Sequence, residues 1–168
     1  KDRLNLSADQ VGMLFVYMGS IAILIQGTLM KTLAKKFGEQ KLFLVGSALI
    51  TLGIGLIPFA GSAKILILFL GIMSIGGSLN IPVLNSLISK ESDSARFGMT
   101  LGVSQGIASL GRVIGPTWGG FLYELWFRLP FLLTAGFLSV TVWISLKLNR
   151  KRQQNNSAYS DSGRVSSE

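Results

Sequence analysis

Apolar residues are gathered into long runs separated by short polar segments. Residues 11–30, 42–63, 65–89 and 129–146 hold no charged side chain, and 97–123 hold one, Arg112. A bilayer core about 30 Å thick is crossed by about 20 apolar helical residues, so each run is long enough to span it. The pattern predicts an all-α membrane protein with five transmembrane helices over about 11–30, 42–60, 65–89, 98–123 and 129–146. Residues 1–10 read as an outer loop. Residues 148–168, rich in Ser, Asn and Gln with almost no large apolar residue, read as a disordered cytoplasmic tail.

The segment edges carry the usual punctuation. Ser7 or Asp9 suits the cap of span one, and Gly38 suits a left-handed helix end in the basic turn 31–41. Gly61, Ser62, Ala63 and Lys64 form a tight turn between spans two and three. Span three contains Gly76, Gly77 and an internal Pro82, breakers that a membrane helix tolerates where neighbours or a cavity satisfy the freed backbone groups.

Composition sharpens this picture. Of 168 residues 49% are hydrophobic and 14% charged, against about a quarter charged in soluble domains, which excludes a soluble enzyme with one core. With no Cys and no His there is no thiol chemistry, no thiolate or imidazole metal site, and no His-dependent triad. No Walker-type phosphate loop occurs, so ATP hydrolysis is not expected, and the reading assigns no cofactor, metal or enzymatic role.

The net charge of +8 raises the question of nucleic acid, but the cations sit in loops. With the N-terminal end outside, the inner side carries Lys31, Lys35, Lys36, Lys41, Lys90, Arg96, Lys147, Arg150, Lys151, Arg152 and Arg164. The outer side carries Lys1, Arg3, Lys64 and Arg128. This asymmetry predicts an N-outside, C-cytoplasmic orientation in a plasma membrane, with lipid rather than nucleic acid as the polyanionic partner. The chain starts at Lys1 with no leader, and an outside start without an upstream span lacks a means of translocation. The expectation is a piece of a longer protein with at least one preceding helix; a natural five-span product is the alternative.

Polar and small residues at membrane depth are the informative ones. At about 100° per residue, Gly98, Gly102, Gln105, Ser109, Arg112, Pro116 and Gly119 fall within an arc of roughly 100° on span four. An arginine at mid-helix costs about 2.5–3.5 kcal/mol on insertion scales, so it is expected to face protein or water. Arg112 reads as a structural donor to neighbouring carbonyls, as a contact for an anionic or carbonyl-bearing substrate or a side chain that switches partners between conformations, or as a snorkelling side chain. On span one, Gly12, Gly19 and Gln26 share a stripe, and Gln26 reads as an interhelical hydrogen bond or a substrate contact. Asn80 and Asn85 flank Pro82: an unwound turn would bring both to one cavity, and a plain proline kink would leave each bonded locally. Spans two and five, poor in polar side chains, read as peripheral. No Asp or Glu lies inside any span.

Three stretches resemble the major facilitator superfamily, close to its drug and proton antiporter branch. Leu33-Ala34-Lys35-Lys36-Phe37-Gly38 is similar to the family's cytoplasmic loop signature. Gly111-Arg112-Val113-Ile114-Gly115-Pro116-Thr117-Trp118-Gly119-Gly120 matches its Gly-xxx-Gly-Pro-xx-Gly-Gly pattern, and Arg96-Phe97-Gly98 is similar to the Arg-Gly that opens that helix. The resemblance implies helices eight to twelve of twelve, within the C-terminal six-helix bundle, with eight, ten and eleven toward a central cavity. Lys35 replaces the signature's Asp and Lys31 its leading Gly, so the gating role of that Asp does not carry over.

The function implied is secondary active transport of a small-molecule substrate by alternating access, such as drug or metabolite efflux. The missing N-terminal half would be its partner, Gln26, Asn80, Asn85, Gln105 and Arg112 the cavity candidates, and Gly111, Gly115, Pro116, Gly119 and Gly120 a packed pivot continuing the Gly98 and Gly102 face. A non-transporting scaffold or split half-transporter is the alternative.

Overall fold

The computed structural model describes residues 7–91 and 96–165, with side chains over 7–90 and 96–147. Its elements are α1 (Ala8–Leu24), a π-helical turn (Ile25–Leu29), α2 (Met30–Phe37), α3 (Glu39–Leu56), a 3-10 turn (Ile57–Phe59), α4 (Ala63–Glu91), α5 (Phe97–Leu125) and α6 (Leu129–Val165). Ser7 caps α1 in a reciprocal box: its amide donates to Gln10 Oε1 at 3.0 Å and the Gln10 amide donates to Ser7 Oγ at 3.3 Å. The turn expected over 31–41 is shorter than the charges suggested. Span one continues as helix through Ala8–Phe37, and Gly38 alone, at φ 78°, redirects the chain into α3. The positive φ is the reason a glycine stands there.

Four helices among the described residues are long and apolar enough to cross a membrane: Ala8–Phe37, Glu39–Phe59, Ala63–Lys90 and Leu129–Lys147. The fifth expected crossing, α5, has the length, 29 residues or about 43 Å, but its glycines, Gln105 and Arg112 dilute its apolarity. The last helix also differs from expectation, since its backbone stays helical to Val165 where the sequence predicts a disordered tail from 148. Lys, Arg and Gln at 151–154 are good helix formers, and a preformed helix removes the nucleation cost of extending it.

The centre of the molecule is the contact between α3 and α4, not the glycine face of α5. Leu42, Gly46 and Gly53 are buried on one stripe of α3, and Gly76, Leu79 and Val83 on the facing stripe of α4. A Cβ on Gly53 would lie 2.7 Å from Met73 Cβ, and one on Gly76 would lie 2.5 Å from the Gly46 carbonyl oxygen and 2.8 Å from the Ile50 nitrogen. Hydrogen in place of a side chain lets the two backbones touch, the small-residue packing that holds helices together in lipid. On its other side α3 packs against α6, where a Cβ on Gly55 would meet Ala135 Cβ at 3.4 Å. Span two is therefore central rather than peripheral. Its polar side chains are few because the packing is mostly dispersion, and of them Ser47 is buried in the contact. Span five does stay peripheral: no residue of the apolar part of α6 is buried.

The opposite face of α4 receives α1. Tyr17 lies over Gly71, and the Ser74 hydroxyl donates to the Met18 carbonyl at 3.0 Å. The covered residues of α1 and the π-helical turn, Leu14, Met18, Ile21, Ala22 and Ile25, recur at helical spacing.

Candidate functional site: two uncovered polar faces

Helix α5 touches α4 and α6, and its half-covered positions, Phe97, Leu101, Ser104, Gly119 and Leu122, form one stripe. On an ideal helix the centre of the Gly98 to Gly119 polar seam lies about 80° from the centre of that stripe. Gly98, Gly102, Gln105, Ser109, Arg112 and Pro116 are all exposed, and a Cβ on Gly98, Gly102, Gly111, Gly115, Gly119 or Gly120 would meet nothing within 4 Å. The described residues thus leave the seam open from Gly98 to Pro116. Arg112 stands roughly 20 Å from either end of the 29-residue helix. Its guanidinium has no hydrogen bond, ion pair or ring contact among the described residues.

Helix α1 repeats this geometry. Gly12 and Gly19 have nothing within 4 Å, and Gln26 is exposed; their stripe is turned roughly 110° from the residues that pack on α4. Gln26 and Gly27 lie in the π-helical turn, where the Met30 amide donates to the Ile25 carbonyl, five residues back. Such a turn accommodates one extra residue and recurs at functional sites. The apolar periodicity around it is continuous, so no sign of the turn is legible in the residues.

The two asparagines part company. Asn80 is half-buried in the α3–α4 contact, with Nδ2 donating to Ser47 Oγ at 2.9 Å and Oδ1 buried against Gly46 without a hydrogen-bond partner. The helix runs unbroken through Pro82, so the unwound turn is not formed. Asn85, about 140° round the helix, makes no side-chain hydrogen bond among the described residues. Asn80 is thus a helix-packing residue. Gln26, Asn85, Gln105 and Arg112 remain free, and no hydrogen bond links them to one another.

At the end expected to be cytoplasmic, Lys31, Thr32, Lys35 and Lys36 line an open hollow of about 310 Å³ on α2, with Leu33 half-buried behind them. Beside it Glu39 Oε1 accepts hydrogen bonds from Lys90 Nζ and Ser86 Oγ, each at 2.8 Å, tying the start of α3 to the end of α4. At the other end Arg128, just before α6, lies 5.2 Å from the ring centroids of both Phe59, in the 3-10 turn after α3, and Phe127. An apolar hollow of about 300 Å³ between α1 and α4, lined by Met13, Leu14, Tyr17, Leu66 and Ile67 among others, holds no titratable group except the Tyr17 phenol. Among the described residues no cluster of three or more His, Cys, Asp or Glu side chains is placed to hold a metal ion.

Comparison with known proteins agrees with this architecture. The chain is 32% identical over 125 residues to solute carrier family 22 member 18 of Mus musculus, covering 73% of this chain and 30% of that protein. It is 27% identical over 116 residues to the class C tetracycline resistance protein of Escherichia coli, covering 69% and 29%. To the quinolone resistance protein NorA of Staphylococcus aureus it is 26% identical over 141 residues, covering 84% and 36%. The chain spans about a third of the length of these curated relatives. The family model of the Major Facilitator Superfamily matches residues 1–166. A multi-pass helical chain matched over nearly its whole length by that model belongs to the major facilitator superfamily.

Proposed function

We propose that this chain is the C-terminal part of a secondary transporter for small solutes, supplying helices eight to twelve of a twelve-helix protein in a plasma membrane. The N-terminal end lies outside and the C-terminal end in the cytoplasm, following the excess of basic residues on the inner loops. The observation that carries this reading is the pair of open faces on α1 and α5. Polar side chains at bilayer depth are disfavoured against lipid, so faces bearing Gln26, Gln105 and Arg112 require a protein or aqueous neighbour. A central cavity shared with a second bundle supplies both.

In this arrangement α3, α4 and α6 form the rigid part of the bundle, while α1 and α5 line the substrate path. The glycines and proline at Gly111, Gly115, Pro116, Gly119 and Gly120 give the opposing bundle a smooth face to rock against during alternating access. The names of the relatives, two of them drug-resistance proteins, support an efflux direction. No acid, Cys or His stands within the five spans, so the reading assigns the chain no catalytic chemistry.

The test is flux across liposomes containing the complete protein, with a panel of drugs, sugars and organic acids, with and without a proton gradient. Gly115→Leu is expected to abolish flux while the protein stays folded in the membrane. If no solute moves in the wild type, the chain belongs to a scaffold that keeps the helix packing and has lost transport.

A further inference from the structure

We infer that an anionic phospholipid binds along the face of α1 and α2 that turns away from α4, with its phosphate at Lys31, Lys35 and Lys36 and its acyl chains on Val16, Ile23 and Leu24. The inference needs α1 to cross a bilayer and does not depend on transport. The orientation proposed above decides only that the leaflet is the cytoplasmic one.

At the headgroup end, Lys31, Thr32, Lys35 and Lys36 share an arc of roughly 140° on α2 and line the open hollow of about 310 Å³, while Leu33 and Ala34 are half-buried behind them. Three ammonium groups and a hydroxyl border one hollow, a donor set suited to a phosphate diester. The Lys36 ammonium also rests 5.6 Å from the Phe37 ring centroid. Glu39, the nearest acid in the sequence, is turned to α4 and held there by Lys90 and Ser86. Lys35 stands where the loop signature has Asp, so the basic hollow belongs to this chain and is not implied by the resemblance.

At the acyl end, Val16, Ser20, Ile23 and Leu24 share an arc of roughly 100° on α1, turned roughly 160° from the α4 contact and roughly 90° from the Gly12, Gly19 and Gln26 stripe. Val16, Ile23 and Leu24 are 70%, 74% and 61% exposed, and the Ser20 hydroxyl is satisfied within the helix by donating to the Val16 carbonyl at 2.8 Å. The π-helical turn holds about one residue more than an α turn, and carrying the helical angle through it brings the hollow to within roughly 80° of the centre of this apolar face. Ile23 and Leu24 lie roughly 10–12 Å along the axis from Lys31, inside the about 15 Å depth of one leaflet. An apolar track ending in a cationic hollow at headgroup depth fits both halves of an anionic lipid. A soluble anion would use only the hollow, and a neighbouring helix only the track.

The test uses phosphatidylglycerol and phosphatidylcholine that carry the same diazirine-bearing acyl chain, each reconstituted in vesicles with the complete protein, irradiated, and mapped by peptide mass. At least fivefold more labelling of residues 16–24 by phosphatidylglycerol is expected, as basic residues at the membrane surface attract anionic lipid. The triple variant Lys31→Gln, Lys35→Gln, Lys36→Gln should bring the two lipids to equal labelling, Lys35→Asp should lower the ratio further than Lys35→Gln, and Lys147→Gln should leave it unchanged. Excess unlabelled phosphatidylglycerol should displace the label, and excess glycerol phosphate should not. Equal labelling in the wild type, no labelling of this stretch because a helix covers it, a ratio that survives the triple variant, or displacement by glycerol phosphate overturns the inference. If the triple variant accumulates poorly, the wild-type ratio and Lys35→Gln still decide. A protein that moves no solute loses the transport reading and keeps this one.

Discussion

Asn80 donates to Ser47 at 2.9 Å across the contact of α3 and α4, where glycines let the two helix backbones touch. The bond lies between Gly46 and Gly76, and the same asparagine buries its oxygen against Gly46. Interhelical hydrogen bonds in lipid average about 0.6 kcal/mol in double-mutant cycles, because the separated helices find other partners. A cycle of Asn80→Ala and Ser47→Ala, read by unfolding in mixed micelles, is expected to give a coupling of about that size. A coupling indistinguishable from zero would mean the contact is held by packing alone.

The glycines beside that bond should matter more than the bond itself. Gly76→Val would drive a Cβ to within 2.5 Å of the Gly46 carbonyl, and backbone cannot give way as a flexible side chain can. Overpacking of this kind costs about 1–3 kcal/mol, so the variant should unfold earlier and accumulate less in the membrane. Gly12→Val, at a position with nothing within 4 Å, should unfold like the wild type. Equal loss in both variants would point to helix insertion rather than helix packing as the sensitive step.

The ion pair between Lys90 and Glu39 is expected to be weak. Lys90 is 66% exposed and Glu39 18%, and exposed pairs are worth about 0.2–1 kcal/mol and are screened by salt. Lys90→Ala should lower unfolding stability by no more than about 1 kcal/mol at low ionic strength, and by less in 1 M salt. A salt-independent loss would assign the effect to the packing of the lysine stem.

Much of this architecture is legible in the sequence, because charge-free runs of membrane length leave few alternatives to helices. Ser7 and Gly38 also follow from local chemistry that needs no tertiary partner, as does the alignment of the small and polar positions of α5 on one face. What could not be read is which face meets which helix. Gly46, Gly53 and Gly76 bring two helix backbones into contact, while the longer glycine series of α5 meets nothing within 4 Å among the described residues. Spacing identifies a face that can be approached closely, but only the partner's position decides whether it is. Asn80 shows the same limit, since an amide at depth serves equally a cavity and a packed neighbour. The described structure gives it the neighbour.

The π-helical turn at Ile25–Leu29 offers the sharpest separation of folding from function. Its extra residue places Gln26 and Gly27 on the open side of α1, and neither touches another helix through its side chain among the described residues. Deleting Gly27 would let the turn close with ordinary four-residue spacing, so that Leu14, Met18 and Ile21 keep their contact with α4 and the basic face of α2 keeps its register. Nothing buried is lost, so the deletion should insert and unfold like the wild type. Flux should nevertheless fall at least tenfold, because Gln26 would no longer be presented at the widened turn. Gly27→Ala, which keeps the residue count and adds a methyl group into open space, should retain most of the flux. Wild-type flux in the deletion would identify the turn as an accident of packing, and loss in both variants would trace the effect to the glycine itself.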